Sequence, residues 1–185
     1  MSFHQTKLNG VVVWTPRRFS DHRGFFSEVW NCKALSRGGL EYEFVQENQA
    51  FSIEPGTVRG LHFQYPPFAQ AKLVRCGRGS FFDVAVDIRI GSPTFGEWVG
   101  QILSSENGKQ MLVPEGFLHG CMTLEPNTEI LYKCSNYYSP EHDAAVRFDD
   151  PEIGIDWPDI NVAETLSPKD DSAPFLSAIE NPFQY

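Results

Sequence analysis

The sequence predicts an all-β fold, a sandwich or barrel of short antiparallel strands, and three observations carry that reading. Strand-like runs follow one another at short intervals, at residues 11–14, 25–30, 44–53, 71–76, 80–90, 98–103, 110–113, 118–124 and 129–137. Gly, Pro, Asn or Ser, the residues that set turn geometry, separate most of them. One short stretch, at residues 31–37, reads as helix. Many short strands with turn signals between them indicate a sandwich or a barrel.

In chain order, VVVW opens the series, followed by FFSEVW, FVQENQAFSI and AKLVRC. The clearest run is SFFDVAVDIRI at 80–90. Phe82, Val84, Val86, Ile88 and Ile90 alternate with Phe81, Asp83, Ala85, Asp87 and Arg89, a strict period of two. That period predicts one core face and one wet or polar-lined face. WVGQIL, QMLV, LHGCMTL and EILYKCSNY complete the series. The C-terminal third, with DDPEIGIDWPD and LSPKDDSAP, is turn-rich and is expected to pack over the barrel as loops and short helical turns. Tandem repeats, low-complexity tracts and linkers are absent, so residues 1–185 read as a single domain.

A chain of 185 residues is long enough for one well-buried core. Hydrophobic residues at 41% and charged residues at 21% exclude a disordered chain. Fifteen Phe and four Trp offer large rings for a core or for stacking walls. The formal charge of −9 argues against nucleic-acid binding, which needs a basic face. A small anion is still compatible, because screening removes most of the distant field beyond about 8–10 Å. Cys32, Cys76, Cys121 and Cys134 form no CxxC pair and read as reduced thiols. The N-terminus MSFHQTKLNGVVVW has no signal-peptide pattern, and no run is long enough to span a bilayer. The expectation is a cytoplasmic protein.

Residues 108–123 read Gly, five residues, Pro114, one residue, Gly116, two residues, His119. Two Gly and one Pro shape a tight turn, and the His emerges on the strand after it. This resembles the second motif of the cupin jelly rolls, with Thr123 in place of the motif's last Asn. The first cupin motif would be Gly, five residues, His-x-His, then Glu. Here Gly56 leads to His62-Phe63-Gln64, with Gln at the second His and no Glu following at the expected spacing. Two His and an amide make a poor transition-metal site. The sequence therefore predicts a cupin-like scaffold without metal.

Several longer strings carry a narrower resemblance: GTVRGLHFQ (56–64), QAKLV (70–74), FDVAVDIR (82–89), SPTFG (92–96), PEGFLHG (114–120) and SPKD (167–170). With D-x-R-G-F-F-S-E (21–28) and Q-x-N (46–48), they resemble the dTDP-4-dehydrorhamnose 3,5-epimerase family across residues 11–170. The resemblance implies proton abstraction and return at C3 and C5 of a nucleotide-linked 4-keto-6-deoxy sugar. It implies His62 as base, Asp170 as the acid that orients it, Lys72 beside the C4 oxygen and Tyr132 as acid across the ring. It implies substrate contacts from Arg23, Glu28, Gln46, Asn48, Arg59, Lys72, His119, Asp143 and Lys169, and a homodimer that exchanges N-terminal strands. Asp143 stands where the family more often has Glu.

Each of these residues has a plainer reading. His62 could be a core histidine, Asp170 a loop acid, Lys72 a solvated lysine and Tyr132 a packing aromatic beside Ile130 and Cys134. Asp83 and Asp87 rival Asp170 as the partner acid. Tyr137 and Tyr138 are further candidates, for the acid or for stacking on a base. Arg59 and His62 are three residues apart, so an ideal strand points them to opposite faces. Both reach one pocket only if the chain bulges, and Gly60 is the residue that would permit it.

The chemistry explains the set. Hydrogens at C3 and C5 are acidic only because each flanks the C4 ketone, so inversion needs a base, an oxyanion stabiliser and an acid on the far face. Histidine as a residue type suits a base near neutral pH, and a fixed ammonium suits an enolate. Guanidinium groups such as Arg23 and Arg59 match pyrophosphate. No redox step occurs, and no Gly-rich dinucleotide loop is present, so no cofactor is expected. Other readings are an epimerase acting at one carbon or a ketoisomerase, a metal-dependent cupin oxygenase, and a non-catalytic sugar-binding jelly roll.

Overall fold

Each predicted run overlaps a strand in the computed structural model, which describes residues 2–185. The strands are β1 (Ser2–Gln5), β2 (Val12–Thr15), β3 (Arg18–Asp21), β4 (Gly24–Ser27), β5 (Gln46–Ser52), β6 (Val58–Gln64), β7 (Lys72–Arg78), β8 (Ser80–Asp87), β9 (Trp98–Ser104), β10 (Gln110–Val113), β11 (Phe117–Thr123), β12 (Thr128–Cys134) and β13 (Asp143–Ala145). Helix α1 (Cys32–Arg37) occupies the predicted helical stretch, and its cap is Asn31, whose side chain accepts from the Ala34 N–H at 3.2 Å. Near the C-terminus lie the single turn α2 (Pro168–Asp171) and a 3₁₀ turn (Leu176–Ala178).

The strands form an all-β, cupin-like jelly roll. A six-stranded sheet runs β1-β2-β10-β7-β12-β5, and a five-stranded sheet runs β13-β6-β11-β8-β9. Large apolar side chains fill the space between the sheets, with Leu8, Val74, Phe81, Leu103 and Met111 fully or almost fully buried. Each such side chain contributes about 1.5–3 kcal/mol relative to exposure. The β3–β4 hairpin pairs with neither large sheet. It presents Phe19, Phe25 and Phe26 at 52%, 57% and 70% exposure.

Each large sheet is also covered on its outer face. Leu35 of α1, with Leu40, Tyr42 and Phe44, packs on Trp14, Leu73 and Leu112 of the six-stranded sheet. Ile153, Trp157, Leu176 and Phe183 pack on Val84 and Val86 of β8 and on Ile88 just past its end. Of the two expectations for the second face of β8, wet or polar-lined, the polar-lined one holds, because Phe81 and Ala85 on that face join the inter-sheet core. Both of its faces are buried, and Asp83 and Asp87 are wholly inaccessible. The C-terminal segment that covers it behaves as predicted, in loops and short helical turns. Asp87 tolerates burial because Arg89, Ser92 and Thr94 all donate to it.

Candidate active site

The bulge expected at Gly60 is present. Across β6 and β11, His62 pairs with His119 while Arg59 pairs with Cys121, so three steps on β6 match two on β11. Gly60 has φ +115°, and a Cβ there would lie 2.7 Å from both the Gly120 Cα and the His119 carbonyl oxygen. Only glycine fits that backbone. Consequently Arg59 and His62 line the same cavity, with a volume of about 240 Å³. Lys72, His119, Cys121, Tyr132 and Asp170 line it too. A second, more open space of about 530 Å³ shares His62, Lys72, Tyr132 and Lys169, and adds Gln46, Asn48, Tyr138 and Asp143.

Two walls face each other across this space. On the five-stranded-sheet side, His62 Nε2 lies 2.5 Å from Asp170 Oδ1. Of the three candidate acids, Asp170 is the one that meets His62. It sits in α2, where the Ser167 hydroxyl accepts from the Asp170 N–H and also donates to Oδ2 at 2.8 Å. Burial favours a protonated Asp170, but the bonds to His62 and Ser167 and the charge of Lys169 outweigh it and hold the carboxyl below its usual range. Beside this pair, His119 Nε2 lies 2.8 Å from Asp83 Oδ1, while Asp83 Oδ2 is buried without a partner. Burial raises the Asp83 pKa against the pull of His119. Asp87, the other rival acid, is held by Arg89 instead.

The six-stranded-sheet side carries Lys72 on β7 and Tyr132 on β12. Burial pushes the Lys72 ammonium below its ordinary pKa, with the charges of Asp143 and Asp83 pulling the other way. Burial likewise raises the Tyr132 phenol. Tyr132 shares its strand face with Ile130 and Cys134, and packs against the inter-sheet core.

At the rim, Lys169 and the Tyr138 hydroxyl both meet Asp143 Oδ2, the latter at 3.0 Å. Gln46 donates to Asn48 Oδ1 at 3.0 Å and accepts from the Tyr138 N–H at 2.9 Å. Arg59 donates to the Phe51 carbonyl and the Ser52 hydroxyl, each at 3.3 Å. Two predicted contacts stand apart within this chain. Arg23 is on the hairpin, paired with Asp21, and Glu28 lines a separate hollow beside Asn31 and Arg37. Among the described residues, no three His, Cys, Asp or Glu side chains converge as a metal cluster.

Three site residues escaped the sequence reading: Ser167, Cys121 and Gln64. Ser167 and Asp170 form an S-x-x-D capping pattern that could have placed the Asp in a first helical turn. Cys121 carries no signal beyond strand alternation with His119. Gln64 was noticed only as a missing histidine.

Comparison with known proteins gives the class, an isomerase of the racemase and epimerase type acting on sugars. The family model described as dTDP-4-dehydrorhamnose 3,5-epimerase matches residues 5–178, and the chain belongs to that family. A Sinorhizobium fredii dTDP-4-dehydrorhamnose 3,5-epimerase is 51% identical over 100% of this chain and 94% of the relative. The Salmonella typhimurium enzyme of the same name is 48% identical, covering 93% of each. A Legionella pneumophila crystal structure in complex with dTDP-4-keto-L-rhamnose has a TM-score of 0.94 and 41% identity, over 100% of this chain and 98% of that one. A 3'-monoepimerase from Streptomyces bikiniensis, in complex with dTDP-quinovose, has a TM-score of 0.88 and 34% identity, over 94% of this chain and 87% of that one.

Proposed function

We propose that this chain, as a single cupin-like domain, inverts C3 and C5 of dTDP-4-keto-6-deoxy-D-glucose to give dTDP-4-keto-L-rhamnose. One observation carries the reading: a His–Asp pair and a half-buried tyrosine face each other across one cavity, with a lysine beside them. The relatives that bear the 3,5-epimerase name support it.

Asp170 on Nε2 fixes the His62 proton at that nitrogen and leaves Nδ1 with a free lone pair. Nδ1 takes the proton from C3 or C5. The C–H electrons become a C=C bond to C4, and the C4 oxygen takes the negative charge. Lys72 stabilises that oxygen electrostatically. Tyr132, whose phenol burial pushes above its ordinary pKa, delivers a proton to the opposite face. Solvent then restores both groups. Arg59 contacts the pyrophosphate, with His119 and Lys72 on the sugar side. Gln46, Asn48, Asp143 and Lys169 line the wider space that takes the nucleotide, where the Tyr138 ring stacks on the base. Arg23 and Glu28 reach the substrate from the partner of a homodimer, a reading supported by the unpaired hairpin and its exposed phenylalanines. The four free cysteines suit the reducing cytoplasm.

Proton NMR of dTDP-4-keto-6-deoxyglucose in heavy water with this protein tests the proposal. Exchange and inversion at both C3 and C5 are expected. No exchange at either carbon overturns epimerisation. Exchange at C3 alone gives the second reading, which the Streptomyces bikiniensis monoepimerase favours.

A further inference from the structure

Gln64 occupies the place where a metal-holding cupin carries its second histidine, and its side chain is 4% exposed. It is not idle there. Its Nε2 donates to the Phe68 carbonyl at 2.6 Å and to the Tyr137 carbonyl at 3.1 Å, and its Oε1 accepts from the Ser139 N–H at 2.7 Å. Every hydrogen-bonding atom of the amide is therefore engaged, and each partner is loop backbone. The intervening residue, Tyr138, is held from the other sheet, because its N–H donates to Gln46 Oε1 at 2.9 Å. Residues 137, 138 and 139 are thus fixed in sequence by amides from β6 and β5. A further pair ties the same loops together: Gln70 Nε2 donates to the Asn136 carbonyl at 2.7 Å, and Asn136 Nδ2 to the Pro67 carbonyl at 3.0 Å.

What this clasp presents is the Tyr138 ring, 55% exposed at the rim of the wider space, with its hydroxyl on Asp143. An exposed ring on an untethered loop loses much of its stacking free energy to the entropy of being ordered when ligand binds. A ring fixed beforehand avoids that loss. We propose that Gln64 is a positioning residue for nucleotide recognition: it holds the 137–139 turn so that Tyr138 is pre-set against the base. The proposal rests on the reading that Tyr138 stacks on the nucleotide. It also gives the lost histidine position a use, since the same strand that carries His62 now fixes the far end of the substrate two residues on.

The test is a double-mutant cycle read by calorimetric titration with dTDP, which needs no turnover. Gln64→Met keeps the volume and removes all three hydrogen bonds. It is expected to weaken dTDP binding about tenfold, within the range of one stacked base, to raise KM in step and to leave kcat within about threefold. In a Tyr138→Ala background the same change is expected to alter dTDP affinity by less than about twofold, because no ring is left to position. Equal weakening in both backgrounds, or none in the Tyr138 background, overturns the proposal. Gln64→Glu keeps the acceptor for Ser139 and loses the two donors, so it must reproduce the pattern if Gln64→Met does not fold. If Tyr138→Ala alone leaves dTDP affinity unchanged, the stacking reading falls and takes this proposal with it. If Tyr138→Ala weakens binding and neither Gln64 variant does, only the positioning role of Gln64 is lost.

Discussion

The two walls of the cavity are built on different electrostatic plans. On the β6–β11 wall each histidine meets a carboxylate, His62 with Asp170 and His119 with Asp83. On the β7–β12 wall neither Lys72 nor Tyr132 is paired with a carboxylate of its own, and burial is the main influence on both. The difference matches what a two-sided proton transfer demands. A base must be oriented and its cationic form tolerated, which a carboxylate at the other ring nitrogen does. An acid must keep its proton until the enolate forms, which burial does for a phenol. One wall is built by pairing, the other by partial burial.

Breaking the paired wall should cost most. His62→Asn is expected to lower kcat by roughly 10²–10⁴-fold, the usual worth of a positioned base, and to stop deuterium entry at both carbons. Near-normal exchange by NMR would move the base elsewhere. Breaking the other wall should separate two events that normally occur together. Tyr132→Phe keeps the packing and removes the hydroxyl, so the enolate still forms and recaptures a proton from the His62 side. Deuterium should enter with retention while inverted product falls by about 10²-fold. Inversion at near wild-type rate would make Tyr132 a packing aromatic, with Tyr138 next to be tried.

The smallest effect sharpens the comparison on a single strand, β8, which carries one carboxylate of each kind. Asp83 keeps an unpartnered oxygen and its pKa is raised by burial. At Asp87 burial also opposes ionisation, but the bonds from Arg89, Ser92 and Thr94 win and bring its pKa down to about 2. A depressed folded-state pKa stabilises the fold above the unfolded value and loses that contribution as pH falls through the folded one. Asp87 should therefore contribute about 2 kcal/mol that disappears between roughly pH 4 and pH 2. Thermal melts over that interval should show this loss, and Asp87→Asn should flatten it.

The sequence made the strands and much of the site legible because both rest on local pattern. Period two marked β8, and turn residues marked its neighbours. The three-residue spacing of Arg59 and His62 demanded the bulge that Gly60 provides. What stayed hidden depends on distant chain. β6 was not seen as a strand because its bulge breaks the alternation. The burial of β8 on both faces stayed hidden because the side chains that share its two clusters, such as Met111 on one face and Trp157 on the other, come from other parts of the chain. Asp170 lies 108 residues from His62, and no spacing rule could choose it over Asp83 and Asp87. Gln64 resembled a defect because its partners are backbone atoms of two loops, which have no sequence signature.

The placement of Asp170 has a bearing on how the protein comes into being. His62 is made early in synthesis, while its carboxylate arrives on a single helical turn near the end of the chain. A turn that short does not persist alone in water, so it takes shape only against the finished barrel. The C-terminal residues that cover β8 thus flank the turn that brings Asp170 to His62.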